Sequence, residues 1–236
     1  MLESLKEEVF EANLELVRRG LVLGTWGNAS GCDRPSGLVA IKPSGVAYDT
    51  MRPDHMVIVD LDGNVVEGSL RPSSDTPTHL VLYRAFDGVA GIVHTHSHYA
   101  TVWAQACRPI PCFGTTHADY FYGEIPITDP LAKAEIANAY EHNTGEVIVR
   151  RFKNLDPMHM PAVLVAQHGP FAWGDAPQKA VESAEVLEEI ARMALDVLSL
   201  SPAQPPIERH LLDKHFFRKH GVGAYYGQKI NTPDQK

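Results

Sequence analysis

The sequence predicts one α/β domain, and three observations carry that reading. Helical and strand patterns interleave along its 236 residues, with no break in composition to divide them. The apolar run Gly91-Ile92-Val93 leads into His94-Thr95-His96, with histidines at alternating positions. A second apolar run, Ala162-Val163-Leu164-Val165-Ala166, ends in Gln167-His168-Gly169-Pro170. Both runs read as buried strands with imidazoles at their tips.

Taking the elements in order, Leu2, Leu5, Val9, Ala12, Leu16 and Val17 recur at helical spacing and predict an amphipathic helix that stops near Gly20. Thr25-Trp26-Gly27-Asn28-Ala29-Ser30 predicts a loop, either an ordinary turn or one whose backbone approaches a ligand. Residues 38–41 predict a strand, and Lys42-Pro43-Ser44-Gly45 follows at its exit. A cation, a hydroxyl and free backbone N–H groups in one turn suit a phosphate, although this is not a P-loop. Residues 56–60 and 65–67 flank Asp62-Gly63-Asn64 and predict a hairpin.

Pro72-Ser73-Ser74-Asp75 then precedes a helical pattern through His79, Leu82, Tyr83 and Phe86. Ser74 or Asp75 would cap that helix. The alternative is anion binding by the serines at the exposed N–H groups, with Asp75 as a carboxylate near a metal.

Side chains two apart on a strand share a face, with Cα atoms about 6.6 Å apart. His94 and His96 can therefore converge on one cation, where a helix would turn them apart. Two hydrogen-bonded histidines at a strand end would give the same pattern. His168, at a second tip, adds a third nitrogen, and three ligands with one open position is the arrangement of a catalytic zinc site.

Residues 99–106 read as helix, and Gly114 to Phe121 as a polar-aromatic stretch in which Asp119 is either a solvated carboxylate or an acid/base. Residues 130–142 and 144–153 both have helical character, although Glu146-Val147-Ile148-Val149 would also suit a strand. Residues 176–200 form the longest periodic segment and predict a helix with a wide apolar stripe, broken by Pro202, Pro205 and Pro206. A short basic amphipathic helix over 210–220 leads to Tyr225 and Tyr226 between glycines, a packing clamp or a pair of phenols for catalysis.

The net charge is −8, which argues against a face for nucleic acid while leaving room for one phosphate site. Cys32, Cys107 and Cys112 are odd in number and form no C-x-x-C, which fits reduced thiols in a cytoplasmic protein. The charged start is neither a signal nor a transit peptide, and no apolar run reaches the ~20 residues of a membrane span.

Together these motifs resemble the zinc-dependent class II aldolase/epimerase family over about residues 2–228. The markers are T-W-G-N at 25–28, K-P-S-G at 42–45, S-S-D at 73–75, H-T-H at 94–96 and H-G at 168–169. S-S-D-T-P-T-H, G-T-T-H-A-D-Y-F, H-G-P-F-A-W-G, L-L-D-K-H and A-Y-Y-G-Q resemble its epimerase branch most closely.

The resemblance implies a three-layer α/β/α fold with a largely antiparallel central sheet. It implies a homotetramer with fourfold cyclic symmetry and active sites between neighbouring subunits. It also implies one Zn2+ per subunit on His94, His96 and His168, with Asp75 a fourth ligand or a nearby carboxylate; imidazoles would also accept Mn2+ or Co2+.

The implied reaction inverts carbon 4 of a pentulose 5-phosphate by retro-aldol cleavage and re-addition, as arabinose and ascorbate-type breakdown both require. Asp119 and Tyr226 would be the acid/base pair, Tyr226 coming from the adjacent subunit. Asn28, Lys42, Ser44, Gly45, Ser73 and Ser74 would grip the phosphate. Thr115, His215 and Arg218 would surround the aldehyde phosphate, and residues 229–236 would be a loose tail.

Three alternatives stand beside it. A class II sugar-phosphate aldolase would release the aldehyde; aldolase relatives carry glutamate at the place of Asp75. A non-catalytic module like the adducin head would lack the zinc ligands, all of which are present here. A metallo-β-lactamase-type hydrolase would need aspartate where His98 stands. An oxidoreductase is disfavoured because no G-x-G-x-x-G opens a helix.

Overall fold

The computed structural model describes residues 2–227. In chain order the elements are α1 (Glu3–Arg18), β1 (Asn28–Asp33), β2 (Leu38–Ile41), β3 (Val57–Asp60), β4 (Val65–Glu67), α2 (Thr76–Ala85), β5 (Gly91–His94), α3 (His98–Gln105), α4 (Thr115–Ala118), α5 (Lys133–Ala137), α6 (Tyr140–Arg151), β6 (Ala162–Leu164), β7 (Pro170–Gly174), α7 (Pro177–Leu200) and α8 (Arg209–Phe217). The tail expected over 229–236 lies outside the described residues. Among the described residues no helix is long and apolar enough to cross a membrane.

The strands form one seven-stranded sheet in the order β4-β3-β2-β1-β5-β7-β6, with every neighbouring pair antiparallel. Adjacent residues of β1 point to opposite faces. A Cβ added at Gly31 would lie 2.8–2.9 Å from Pro177, Leu5 and Val9, so α1 and the start of α7 press against that face. Ser30, next along, sends its Oγ to within 2.7 Å of both His79 Nδ1 and Tyr83 Oη on α2. α6 packs on α2, where a Cβ at Gly145 would meet Val81 at 2.6 Å. α3 joins the α1 and α7 layer, and Trp103 Nε1–H donates to the Ala191 carbonyl at 2.9 Å. The result is the expected α/β/α sandwich with an antiparallel sheet.

Two strands differ from the sequence reading. β1 occupies residues 28–33, whose Asn, Ser, Gly and Asp suggested a loop. Tertiary packing decides this segment: β2 and β5 pair with it on either side, and only small side chains fit under the two helices. β7 begins at Pro170, directly after the turn that ends β6; proline is tolerated there as the first residue of a strand. The 144–153 segment is helical, with Thr144, Gly145, Val147 and Ile148 forming its buried stripe. The 130–142 segment is interrupted, because Ala139 adopts φ +52° between α5 and α6.

Candidate metal centre

Three histidines meet at one end of the sheet. His94 is the last residue of β5, and His96 lies just beyond it in the loop before α3. His168 sits in the turn joining β6 to β7. In that turn Val165 N–H donates to Gly169 O at 2.9 Å and His168 N–H to Val165 O at 3.0 Å. Gln167 takes a left-handed φ of +61° to deliver His168, a conformation uncommon outside glycine. A Cβ at Gly169 would lie 2.9 Å from Thr95 O, so glycine is what lets the two tips approach. One ligand nitrogen from each of the three imidazoles falls within 4.8 Å of the others.

Two of these rings make a further contact through the other nitrogen. His94 Nδ1–H donates to the Pro170 carbonyl at 2.9 Å, which leaves Nε2 as the lone-pair nitrogen. Its ring stacks on Phe171 with centroids 4.2 Å apart. His168 Nδ1 faces the Tyr140 hydroxyl at 3.3 Å. The loop carrying His96 runs into α3, whose first free N–H groups, those of Tyr99 and Ala100, donate to the Glu188 carboxylate at 2.8 and 2.9 Å. Burial and the neighbouring imidazoles push His168 down to about 3, and burial and His94 lower His96. Both rings are thus neutral at physiological pH, the ligating form.

These residues fit a divalent cation. His94 Nε2 and His96 Nε2 stand 3.2 Å apart. Two nitrogens about 2.0–2.1 Å from a tetrahedral zinc would be separated by roughly 3.3 Å. Asp75 lies at the start of α2, yet its side chain makes no cap; the carboxylate turns away and accepts from Asn28 Nδ2 at 2.7 Å. Burial opposes its charge, but His94, His79 and the Asn28 amide hold Asp75 below the usual carboxylate range. Asn28 is only 3 % exposed, and its Oδ1 has no partner among the described residues.

The two turns expected to hold phosphate open onto the same pocket. Ser44 N–H donates to Arg71 O at 2.9 Å and Ser73 N–H to Lys42 O at 3.0 Å, which lays K-P-S-G and S-S-D side by side. Gly45 has φ +69°, the left-handed turn that glycine supplies at no steric cost. Thr25, Trp26, Asn28, Lys42, Ser44, Gly45, Ser73, Ser74 and Asp75 join the three histidines around a cavity of about 560 Å3. Lys42 is 2 % exposed; its ammonium donates to Val46 O at 3.0 Å and sits 4.8 Å from the Tyr48 ring centroid. It therefore supplies positive charge from behind the turn.

Asp119 and Tyr226 lie elsewhere. Both line a second cavity, of about 440 Å3, together with Lys179, Lys219 and Trp173. Asp119 accepts from Arg218 Nη2 at 2.7 Å and Nε at 3.1 Å, from His215 Nδ1 at 3.0 Å, and pairs with Lys219 at 3.3 Å. Burial raises its pKa, but Arg218, His215 and Lys219 outweigh it and hold Asp119 ionised. The Arg218 guanidinium and Lys219 ammonium lie 5.0 and 4.7 Å from the Tyr226 ring centroid. Thr115 opens the short α4 and lines neither cavity. Trp26, Tyr48, Tyr140 and Glu188 were not singled out for the site by their sequence pattern. Trp26 stood inside a flagged motif; the other three are reached only through tertiary contacts.

A family model, the class II aldolase and adducin N-terminal domain, matches residues 7–195. The chain belongs to that family. It is 56 % identical over 228 residues to the L-ribulose-5-phosphate 4-epimerase UlaF of Salmonella paratyphi B, covering 97 % of this chain and all of the relative. The protein of the same name from Salmonella typhi matches to the same extent. Among solved structures, an L-fuculose 1-phosphate aldolase superposes with a TM-score of 0.77 at 26 % identity, covering 91 % of this chain and 95 % of the other. The L-fuculose-1-phosphate aldolase of Thermus thermophilus shares the fold, with a TM-score of 0.66 at 23 % identity over 86 % of this chain and all of the other.

Proposed function

We propose that the protein is an L-ribulose-5-phosphate 4-epimerase, an isomerase that interconverts L-ribulose 5-phosphate and D-xylulose 5-phosphate. The observation that carries this reading is one pocket holding three converged imidazoles beside two phosphate-type turns. The names of the full-length relatives supply the substrate.

Carbon 4 bears no acidic C–H, so inversion needs cleavage of the bond between carbons 3 and 4, rotation of glycolaldehyde phosphate, and re-addition. His94, His96 and His168 would hold Zn2+, or Mn2+ or Co2+, with Asp75 beside them. A cation there supplies Lewis acidity toward negative charge on the ketone oxygen. Ser44, Gly45, Ser73, Ser74 and Asn28 bind the phosphate, with Lys42 adding charge from beneath. Asp119 and Tyr226 move the proton of the carbon-4 oxygen, help typically worth about 10²–10⁴-fold.

Asp119 and Tyr226 share a cavity that is not the histidine pocket of the same chain. We therefore read the working enzyme as a cytoplasmic homotetramer in which both residues, not Tyr226 alone, arrive together from a neighbouring subunit. L-arabinose or ascorbate-type catabolism would use this activity.

The second reading is a sugar-phosphate aldolase, favoured by the aldolases among the structural neighbours. One assay separates the two. D-xylulose 5-phosphate formed from L-ribulose 5-phosphate is coupled to detection, with and without a chelator, and free glycolaldehyde phosphate is measured in the same tube. Chelator-sensitive product with little free aldehyde is expected; aldehyde release would transfer the assignment to an aldolase.

A further inference from the structure

We propose that Trp26 is the wall that retains the cleaved aldehyde, and hence a residue that makes this site epimerise instead of releasing its fragments. The inference rests on the epimerase reading. Breaking the bond between carbons 3 and 4 leaves the electron pair on carbon 3 as an enediolate and passes the carbon-4 hydroxyl proton to a base. Glycolaldehyde phosphate is then held by no covalent bond. It must turn over without leaving, so its carbonyl needs a surface that confines it and does not fix it by hydrogen bonds.

Among the described residues that line the pocket, most are small or polar, and Trp26 is the one large apolar side chain. Its ring centroid lies 6.1 Å from that of His96. The indole is 57 % exposed, so it belongs to the pocket's rim and not to the core.

The loop that presents Trp26 is held through its backbone. Tyr48 Oη–H reaches the carbonyls of Trp26 and Gly27 at 3.0 and 2.9 Å. Gly27, at φ +77°, comes so near β5 that an added Cβ would sit 2.9 Å from His94 O. Asn28 then enters β1 opposite His94. These anchors do not involve the indole, so its removal leaves the loop in place. A flat apolar face contacts an aldehyde in either orientation, which is what a wall for a rotating fragment requires.

The test compares zinc-loaded wild-type protein with Trp26→Ala and Trp26→Phe, measuring zinc content, D-xylulose 5-phosphate and free glycolaldehyde phosphate. Trp26→Ala is expected to keep its zinc, to cleave L-ribulose 5-phosphate, and to raise free aldehyde per xylulose formed by at least about tenfold, the scale of one lost apolar contact in substrate discrimination. Trp26→Phe is expected to fall between. An unchanged ratio in an active Trp26→Ala enzyme, or loss of its zinc, overturns the proposal. A wild-type enzyme that forms no xylulose product would instead overturn the epimerase reading.

A second measurement needs no variant. Trp103 and Trp173 are buried, so iodide quenching of wild-type fluorescence reads Trp26. Added L-ribulose 5-phosphate should protect it; undiminished quenching during turnover counts against the wall.

Discussion

The histidine pocket and the Asp119–Tyr226 cavity are built on opposite principles. In the first, ligands sit at and just beyond a strand end and in a tight turn, the His94 and His168 rings are each set by a second contact, and burial pushes His168 toward the neutral form. In the second, one carboxylate is encircled by Arg218, His215 and Lys219 from the end of α8 and the residues after it, and Tyr226 is 62 % exposed. Imidazoles that ligate a cation must be neutral and held at fixed spacing, which a sheet edge supplies. As the proposed acid/base, Asp119 would have its charge set by these neighbours and would act on a substrate held in the histidine pocket. On the proposed reading, the two cavities would meet across the contact between neighbouring subunits.

The largest effect should come from the histidine pocket. His96→Ala removes one of the three proposed ligands; zinc content should fall and turnover drop by about 10⁴-fold, since a Lewis acid contributes several kcal/mol. Full zinc occupancy with normal turnover would take His96 out of the site. Next, Asp119→Asn should lower turnover by roughly 10²–10³-fold with zinc retained.

Mixing variants then sharpens the comparison. Asp119→Asn chains mixed with His96→Ala chains should regain activity, because an intact metal pocket can meet an intact Asp119–Tyr226 wall. Asp119→Asn mixed with Tyr226→Phe should not, because every wall carries one defect. The reverse pattern would show that the two residues serve different sites.

Much of this was legible in the sequence, for identifiable reasons. His94 and His96 were visible because alternation on a strand is a period-2 signal, and His168 because Gly169 and Pro170 mark where its strand stops. Lys42 and Ser44 stood out as polar residues at the exit of an apolar run, although the inward turn of the Lys42 ammonium depends on Tyr48, which no local pattern links to it. β1 was hidden because its composition reflects helices from distant parts of the chain packing on it. Glu188 was hidden for a similar reason: its partners are the N–H groups of Tyr99 and Ala100, far off in sequence.

Smaller effects test how tightly the histidine pocket is held. Tyr140→Phe removes the hydroxyl facing His168 Nδ1. Outer partners of metal ligands are typically worth 10–100-fold in affinity, and the 3.3 Å separation puts this one near the lower end, about tenfold. Zinc competition against a chelator reads it, and unchanged affinity would show that the turn alone fixes His168. Tyr48→Phe leaves two carbonyls without their donor and should cost about 1–2 kcal/mol in urea unfolding, with zinc stoichiometry intact.

A pH-dependent effect on stability is expected at His117, two residues before Asp119. Its Nε2–H donates to Gly123 O at 2.7 Å, and burial lowers its pKa to about 4. The unfolded chain takes up this proton near 6.5, so between about 6.5 and 4 the unfolded state binds more protons than the folded state. Stability from this group is therefore complete above 6.5 and declines as the pH falls toward 4, by at most about 1.4 kcal/mol per pH unit. His117→Asn, which keeps a donor and cannot titrate, should flatten that part of the unfolding curve measured by chemical denaturation. An equally steep curve would assign the acid sensitivity to the other buried histidines, such as His79, whose pKa burial lowers to about 3.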